Sequence, residues 1–176
     1  STRKPIKVAV VLSGGQASGG HNVISGIYDF IKRISPESEM FGFMDGPQGI
    51  YKGKYCRIND HFMDMYRNSG GFDMIGSGRH KIESPEHFAA SMESCTALDL
   101  DGLVVIGGDD SNTNAAVLAE YFAAHKCKTK VCGAPKTIDG DLKVHPYIPV
   151  SFGFDTACST YSELIGNLGQ DTLSSQ

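Results

Sequence analysis

An α/β fold, with a mostly parallel sheet covered by helices on both faces, is predicted by three observations. Short apolar runs alternate with longer segments of helical periodicity, the order of successive βαβ units. Three of the runs lead directly into turns rich in glycine or carboxylate. Parallel α/β sheets bind ligands at the carboxyl ends of their strands, so all three turns would share one edge.

The elements follow in chain order. Ile6-Lys7-Val8-Ala9-Val10-Val11-Leu12 predicts a strand near 7–12 and runs into Ser13-Gly14-Gly15-Gln16-Ala17-Ser18-Gly19-Gly20. Beyond it Val23, Ile24, Ile27, Phe30 and Ile31 recur at helical spacing, so strand, turn and helix (near 21–34) succeed one another. The spacing GxGxxG is not met, which removes support from a dinucleotide-binding reading. A second strand is expected near 39–44. The segment Asp45–Gly53 is rich in turn formers and reads as a loop, a surface connection in preference to a lid. A short helix is expected near 60–67 and a longer one near 85–97. Leu103-Val104-Val105-Ile106 predicts a strand near 102–106 and a helix near 112–125 follows. A strand near 130–133 and a helix near 155–168 complete the pattern.

Two of the turns carry chemistry. In Gly107-Gly108-Asp109-Asp110-Ser111 the glycines open the backbone to a ligand, at the place where a helix N-terminus offers free N–H donors. That arrangement suits phosphate. Pro135-Lys136-Thr137-Ile138-Asp139-Gly140-Asp141 brings one cation and two carboxylates close together, a mixture suited to phosphate, Mg²⁺ and a proton acceptor. Asp139 and Asp141 are two apart and would share one face of an extended segment. A lone Asp-Gly-Asp is ordinarily a solvated turn, and the flanking Thr137 and Lys136 argue against that here. Asp110 also suits a helix N-cap or first turn, where acids are common.

Composition narrows the function classes. The 176 residues carry a formal charge of −4 with no long basic run, so neither nucleic acid nor a membrane surface is indicated as a partner. Five cysteines, Cys56, Cys95, Cys127, Cys132 and Cys158, form no CxxC pair, which predicts reduced thiols and a cytoplasmic protein. The run Val8–Leu12 is too short for a membrane span or signal segment. The six histidines have no ligand spacing.

Together, Ser13-Gly14-Gly15 through Gly26, Gly76-Ser77-Gly78-Arg79, Gly107 through Asn114, Pro135 through Asp141, and Ser151-Phe152-Gly153-Phe154-Asp155-Thr156-Ala157 resemble the phosphofructokinase family. The likeness is closer to its pyrophosphate-dependent branch, because the ATP-dependent branch has glycine where Asp110 and Lys136 stand. Physically, the Asp110 side chain puts bulk and negative charge where an α-phosphate would pass, while Lys136 supplies a cation for a smaller donor. The resemblance implies a three-layer α/β/α fold and Mg²⁺-dependent phosphoryl transfer from pyrophosphate to the 1-hydroxyl of fructose 6-phosphate. It implies Asp139 as general base and Asp109 as the carboxylate associated with Mg²⁺. Gly14, Gly15 and Gly108 match phosphate contacts, Arg79 a cation reaching the transferred phosphate, and Thr137 and Asp141 residues near the sugar and the base. Lys136 and Asp110 would act on the donor.

The family also implies a homo-oligomer. Residues 1–150 would be an incomplete donor-binding domain, and 151–176 a helix leading into a second, sugar-phosphate-binding domain beyond this chain. The donor half alone should be inactive. An ATP-dependent 6-phosphofructokinase and a non-catalytic regulatory subunit of the same fold are the alternatives. Asp110 and Lys136 count against the first, and the intact Asp109, Lys136, Asp139 and Asp141 against the second.

Overall fold

The apolar run at the N-terminus becomes the middle of the sheet. In the computed structural model, which describes residues 3–15, 20–68 and 75–135, the chain forms β1 (Lys7–Ser13), α1 (Gly20–Ile34), β2 (Glu39–Phe43), α2 (Gln48–Lys52), β3 (Tyr55–Ile58) and α3 (Asp60–Asn68). There follow β4 (Ser77–Gly78), α4 (Pro85–Ala97), β5 (Gly102–Gly107), α5 (Asp109–Ala124) and β6 (Lys130–Pro135). The strand order is β3-β2-β1-β5-β6, with β4 pairing the end of β1. Every pairing is parallel except that of β2 with β3.

Alternation along the central strands builds two cores. Val8, Val10 and Leu12 of β1 join Val104 and Ile106 of β5 on one face, against Ile24, Ile27 and Ile31 of α1 and Met63 and Tyr66 of α3. Ala9 and Val11 join Leu103 and Val105 on the other, against Ile50 of α2, Cys95 of α4 and Leu118 and Phe122 of α5. Because both faces are covered, the central strands have no polar side to show, which is why they read as unbroken apolar runs. The expected α/β fold with helices on both faces is thus the observed one. Helix α4 starts where Pro85 presets the first turn and the Ser84 Oγ accepts from the His87 N–H.

Three details differ from expectation. The segment 45–53 is not a plain surface loop, since α2 buries Gly49 and Ile50 and stacks the Tyr51 ring on His87 of α4 at 3.8 Å. Its ends are marked by Pro47 and by Gly53, whose φ of 66° stops the helix in the left-handed region. The strands β3 and β4 were not expected; β3 turns back antiparallel because the Met44 N–H donates to the Lys54 carbonyl at 2.9 Å and closes a tight return. Helix α5 begins at Asp109 instead of near 112, so the acidic pair lies within its first turn. The expected helix at 155–168 and the domain division at 150 lie outside the described residues.

Candidate active site

A crevice opens where two connections part. β1 and β5 lie side by side, with Leu12 opposite Ile106. The chain leaves β1 for α1 on one face and leaves β5 for α5 on the other. The strand ends between them form a switch point, the kind of place where α/β sheets bind ligands. The crevice, of about 550 Å³, is lined by Ser13, Gly14 and Gly15 from the first turn and by Gly108, Asp109, Asp110 and Ser111 from the second, with Arg79 and Lys81 across from them.

Glycine is required at the floor. A methyl group on Gly107 would lie 2.5 Å from the Ser111 Cβ and 2.7 Å from the Ser13 carbonyl oxygen, so only a bare backbone lets the two turns meet. There the Ser13 and Ser111 hydroxyls lie 2.8 Å apart, joining the turns by a hydrogen bond. Gly14 takes a φ of 99°, and its N–H donates to the Gly78 carbonyl at 2.8 Å. Asn112 donates from Nδ2 to the carbonyls of Gly107 and Gly108, at 2.9 and 2.8 Å. Those carbonyls are turned back into the protein. Gly108, as N-cap, has no side chain to accept from the first-turn N–H groups of α5, which leaves a helix N-terminus suited to an anion.

The cations come from the segment after β4. Asn114 of α5 grips Ile82 from both sides, accepting from its N–H at 3.1 Å and donating to its carbonyl at 2.6 Å. Ile82 is buried, so this clamp sets the path of residues 79–82 against α5. Arg79 then reaches over the first turn: a methyl group on Gly15 would stand 3.1 Å from its Nη2. Lys81 Nζ lies 3.6 Å from Asp110 Oδ2. The arrangement can hold a compact polyanion between backbone donors on one side and two cations on the other.

Residues 7–176 match the sequence profile of the family described as Phosphofructokinase. The chain belongs to the phosphofructokinase family. Among its relatives, the pyrophosphate–fructose 6-phosphate 1-phosphotransferase subunit beta 2 of Arabidopsis thaliana is 60% identical over 99% of this chain, and the subunit beta of Solanum tuberosum is 60% identical over 96%. The chain spans about 30% of the length of each. The crystal structure of a pyrophosphate-dependent phosphofructokinase from Nitrosospira multiformis aligns with a TM-score of 0.68 at 18% identity, over 78% of this chain and 35% of that one, and shows that the fold is shared.

This phosphofructokinase chain brings six of its sequence-predicted site residues, Gly14, Gly15, Arg79, Gly108, Asp109 and Asp110, to one crevice. Lys136, Thr137, Asp139 and Asp141 lie outside the described residues. Ser13, Ser111, Asn112 and Asn114 lie within the motifs read from sequence but were given no role of their own, and Lys81 lies outside those motifs. The signal for Lys81 was its place two residues after Arg79. Among the described residues no group of three His, Cys, Asp or Glu side chains could hold a metal ion by itself. Mg²⁺ is commonly held by one or two carboxylates with the remaining positions filled by phosphate and water, so Asp109 fits as one such ligand. Burial pushes the Cys132 thiol up to about 11 and the Cys95 thiol up to about 12, so neither is a ready nucleophile.

Proposed function

We propose that the complete protein transfers a phosphoryl group from pyrophosphate to the 1-hydroxyl of fructose 6-phosphate, giving fructose 1,6-bisphosphate reversibly in glycolysis, and that this chain contributes its donor-binding part. The observation that carries the reading is Asp110 beside Asp109 in the crevice, where glycine would leave room for the rest of a nucleotide. The names of the 60%-identical relatives support it.

Phosphoryl transfer asks a protein chiefly for positioning and charge neutralisation. Gly14, Gly15 and Gly108 shape the two turns that receive the donor, and Arg79 reaches the transferred phosphoryl. Asp109 is the carboxylate that would hold Mg²⁺, an ion that neutralises charge on the donor's phosphates when bound. Pro135, the last described residue, pairs with Gly107 at the end of β5. In our reading Lys136 meets the donor, Asp139 accepts the proton of the attacking 1-hydroxyl, and Thr137 and Asp141 lie near the sugar. Residues 1–150 form the donor-binding domain, and the helix in 151–176 leads to a sugar-phosphate-binding domain. The free thiols of Cys56, Cys95, Cys127 and Cys132 support a cytoplasmic enzyme. Among the described residues no helix is long and apolar enough to cross a membrane. The relatives named as subunits support an assembly of several chains, which we read as a homo-oligomer.

The test is an assay of the full-length protein with fructose 6-phosphate and Mg²⁺, offering either pyrophosphate or ATP. Turnover with pyrophosphate and none with ATP is expected, and comparable use of ATP refutes the reading. Asp139→Asn should lower kcat about 10²–10⁴-fold while pyrophosphate still binds, the usual loss when a general base is removed.

A further inference from the structure

We propose that Lys81 is a donor-binding residue for pyrophosphate and that Asp110 positions it, so that Asp110 selects the donor partly through Lys81. The inference rests on the functional reading above and adds a residue and a role to it.

Three observations carry it. Lys81 lines the crevice, on the segment that also presents Arg79. Its ammonium lies 3.6 Å from the Asp110 carboxylate, and the side chains are 44% and 87% exposed respectively. A pair that open to water contributes little to folding, so stability does not account for it. Its length, beyond the range of a tight charge-assisted hydrogen bond, leaves the ammonium able to turn to another anion. Finally, the clamp of Asn114 on Ile82 fixes the backbone beside Lys81 to α5, the helix whose first turn carries Asp110. The backbones that carry Lys81 and Asp110 are thus tied together through Asn114.

The chemistry follows. A lysine ammonium is a compact point charge with three donors, suited to the dense charge of a small phosphate anion. Asp110 holds it over the crevice and releases it to the incoming donor. The same carboxylate still obstructs a nucleotide, whose additional phosphate would meet its bulk and negative charge. Attraction of the small donor and rejection of the large one then share one ion pair.

The experiment uses the full-length protein and inorganic pyrophosphate, with steady-state kinetics and calorimetric titration of the wild type, Lys81→Gln, Lys81→Arg, Asp110→Asn and the double variant Lys81→Gln with Asp110→Asn. Lys81→Gln should raise the KM and Kd for pyrophosphate about tenfold to a hundredfold, the span of one lost charge-assisted hydrogen bond, and leave the KM for fructose 6-phosphate within about twofold. Lys81→Arg should recover most of the affinity, and the salt dependence of pyrophosphate binding should weaken in Lys81→Gln. The effect of Asp110→Asn measured in the wild type should differ at least about threefold from its effect measured on top of Lys81→Gln, because coupled residues do not act additively. A pyrophosphate KM unchanged in Lys81→Gln overturns the binding role, and strict additivity overturns the positioning role. Wild-type protein that binds pyrophosphate but does not turn it over sinks the functional reading alone, and protein that does neither sinks both. Since both side chains are exposed, unchanged thermal melting will show that the variants fold.

Discussion

Among the described residues, two open clefts of comparable size are built in different ways. The crevice at the ends of β1 and β5 encloses about 550 Å³, and the groove between α1 and α3 about 690 Å³. The groove is made of side chains on helix surfaces, several of them engaged with neighbours. The Tyr28 hydroxyl donates to Asp60, Arg67 Nη2 meets Asp29 at 2.8 Å, and Lys32 donates to the Pro36 carbonyl at 3.1 Å. The crevice is made of glycine backbone, a helix N-terminus and cations on a clamped segment. Volume and polarity do not distinguish a site from a surface groove. What distinguishes them is where the polar groups come from: side chains on the surfaces of two helices in the groove, and glycine backbone, a helix N-terminus and strand ends in the crevice.

The sharpest way to break this contrast is to close the crevice from below. Gly107→Ala puts a methyl group against a backbone carbonyl that cannot yield, and we expect a loss of about 3 kcal/mol, the upper end of overpacking. Turnover in the full-length enzyme should fall about a hundredfold as the two turns are forced apart. Urea unfolding and kcat/KM measure both, and a variant equal to wild type would show that the turns need no close approach.

Asn114→Ala comes next. It leaves the buried backbone of Ile82 without its two partners, at a cost of about 2 kcal/mol. It should also raise the KM for pyrophosphate about tenfold, because Arg79 and Lys81 lose their reference frame. Stability that falls without a change in KM would make the clamp structural only.

Tyr28→Phe, in the groove, should cost only about 1 kcal/mol, since exposed Asp60 regains water as its partner. Activity should be unchanged. A clear loss of turnover would mean that the groove does more than hold α3 to α1.

The smallest effect is a dependence on pH. Burial, then the bond to the Asp60 carboxylate, raises the Tyr28 phenol above its ordinary value of 10.0, and burial raises Tyr66 likewise. A raised phenol favours the folded state fully below its unfolded value, and that contribution is lost as pH climbs past 10. The gap in melting temperature between wild type and Tyr28→Phe should therefore narrow above pH 10. A gap that stays constant up to pH 11 would contradict the shift.

Legibility followed burial and backbone demand. β1 and β5 were plain from sequence because they are covered on both faces and must be apolar throughout. The turns were plain because Gly14 and Gly107 serve conformations and contacts that other residues resist. β3 and β4 were hidden, one with a largely exposed face and the other two residues long. α2 was hidden for a related reason: five residues among turn formers carry too little period to be read, and Ile50 becomes core only by insertion beneath α4. Of the site, the glycines and acids of the first two turns were legible as motifs, while the Lys136–Asp141 string still rests on its residues and on the family likeness.

By itself, then, the sequence determined the α/β layering, the positions of the glycine turns and the acidic pair that follows β5. Apolar periodicity and the special conformations of glycine act locally and leave their mark on neighbouring residues. Only the tertiary structure decided that Lys81 stands opposite Asp110, that Asn114 sets the path of both cations, and that Gly107 lies pressed between Ser13 and Ser111. The pairing of Lys81 with Asp110, the hold of Asn114 on Ile82 and the contact of Ser13 with Ser111 at Gly107 join segments about 30 or more residues apart through the parallel pairing of β1 with β4 and β5. Side-chain partnerships of that kind are fixed by where the sheet brings its edges together, and no local pattern along the chain encodes them.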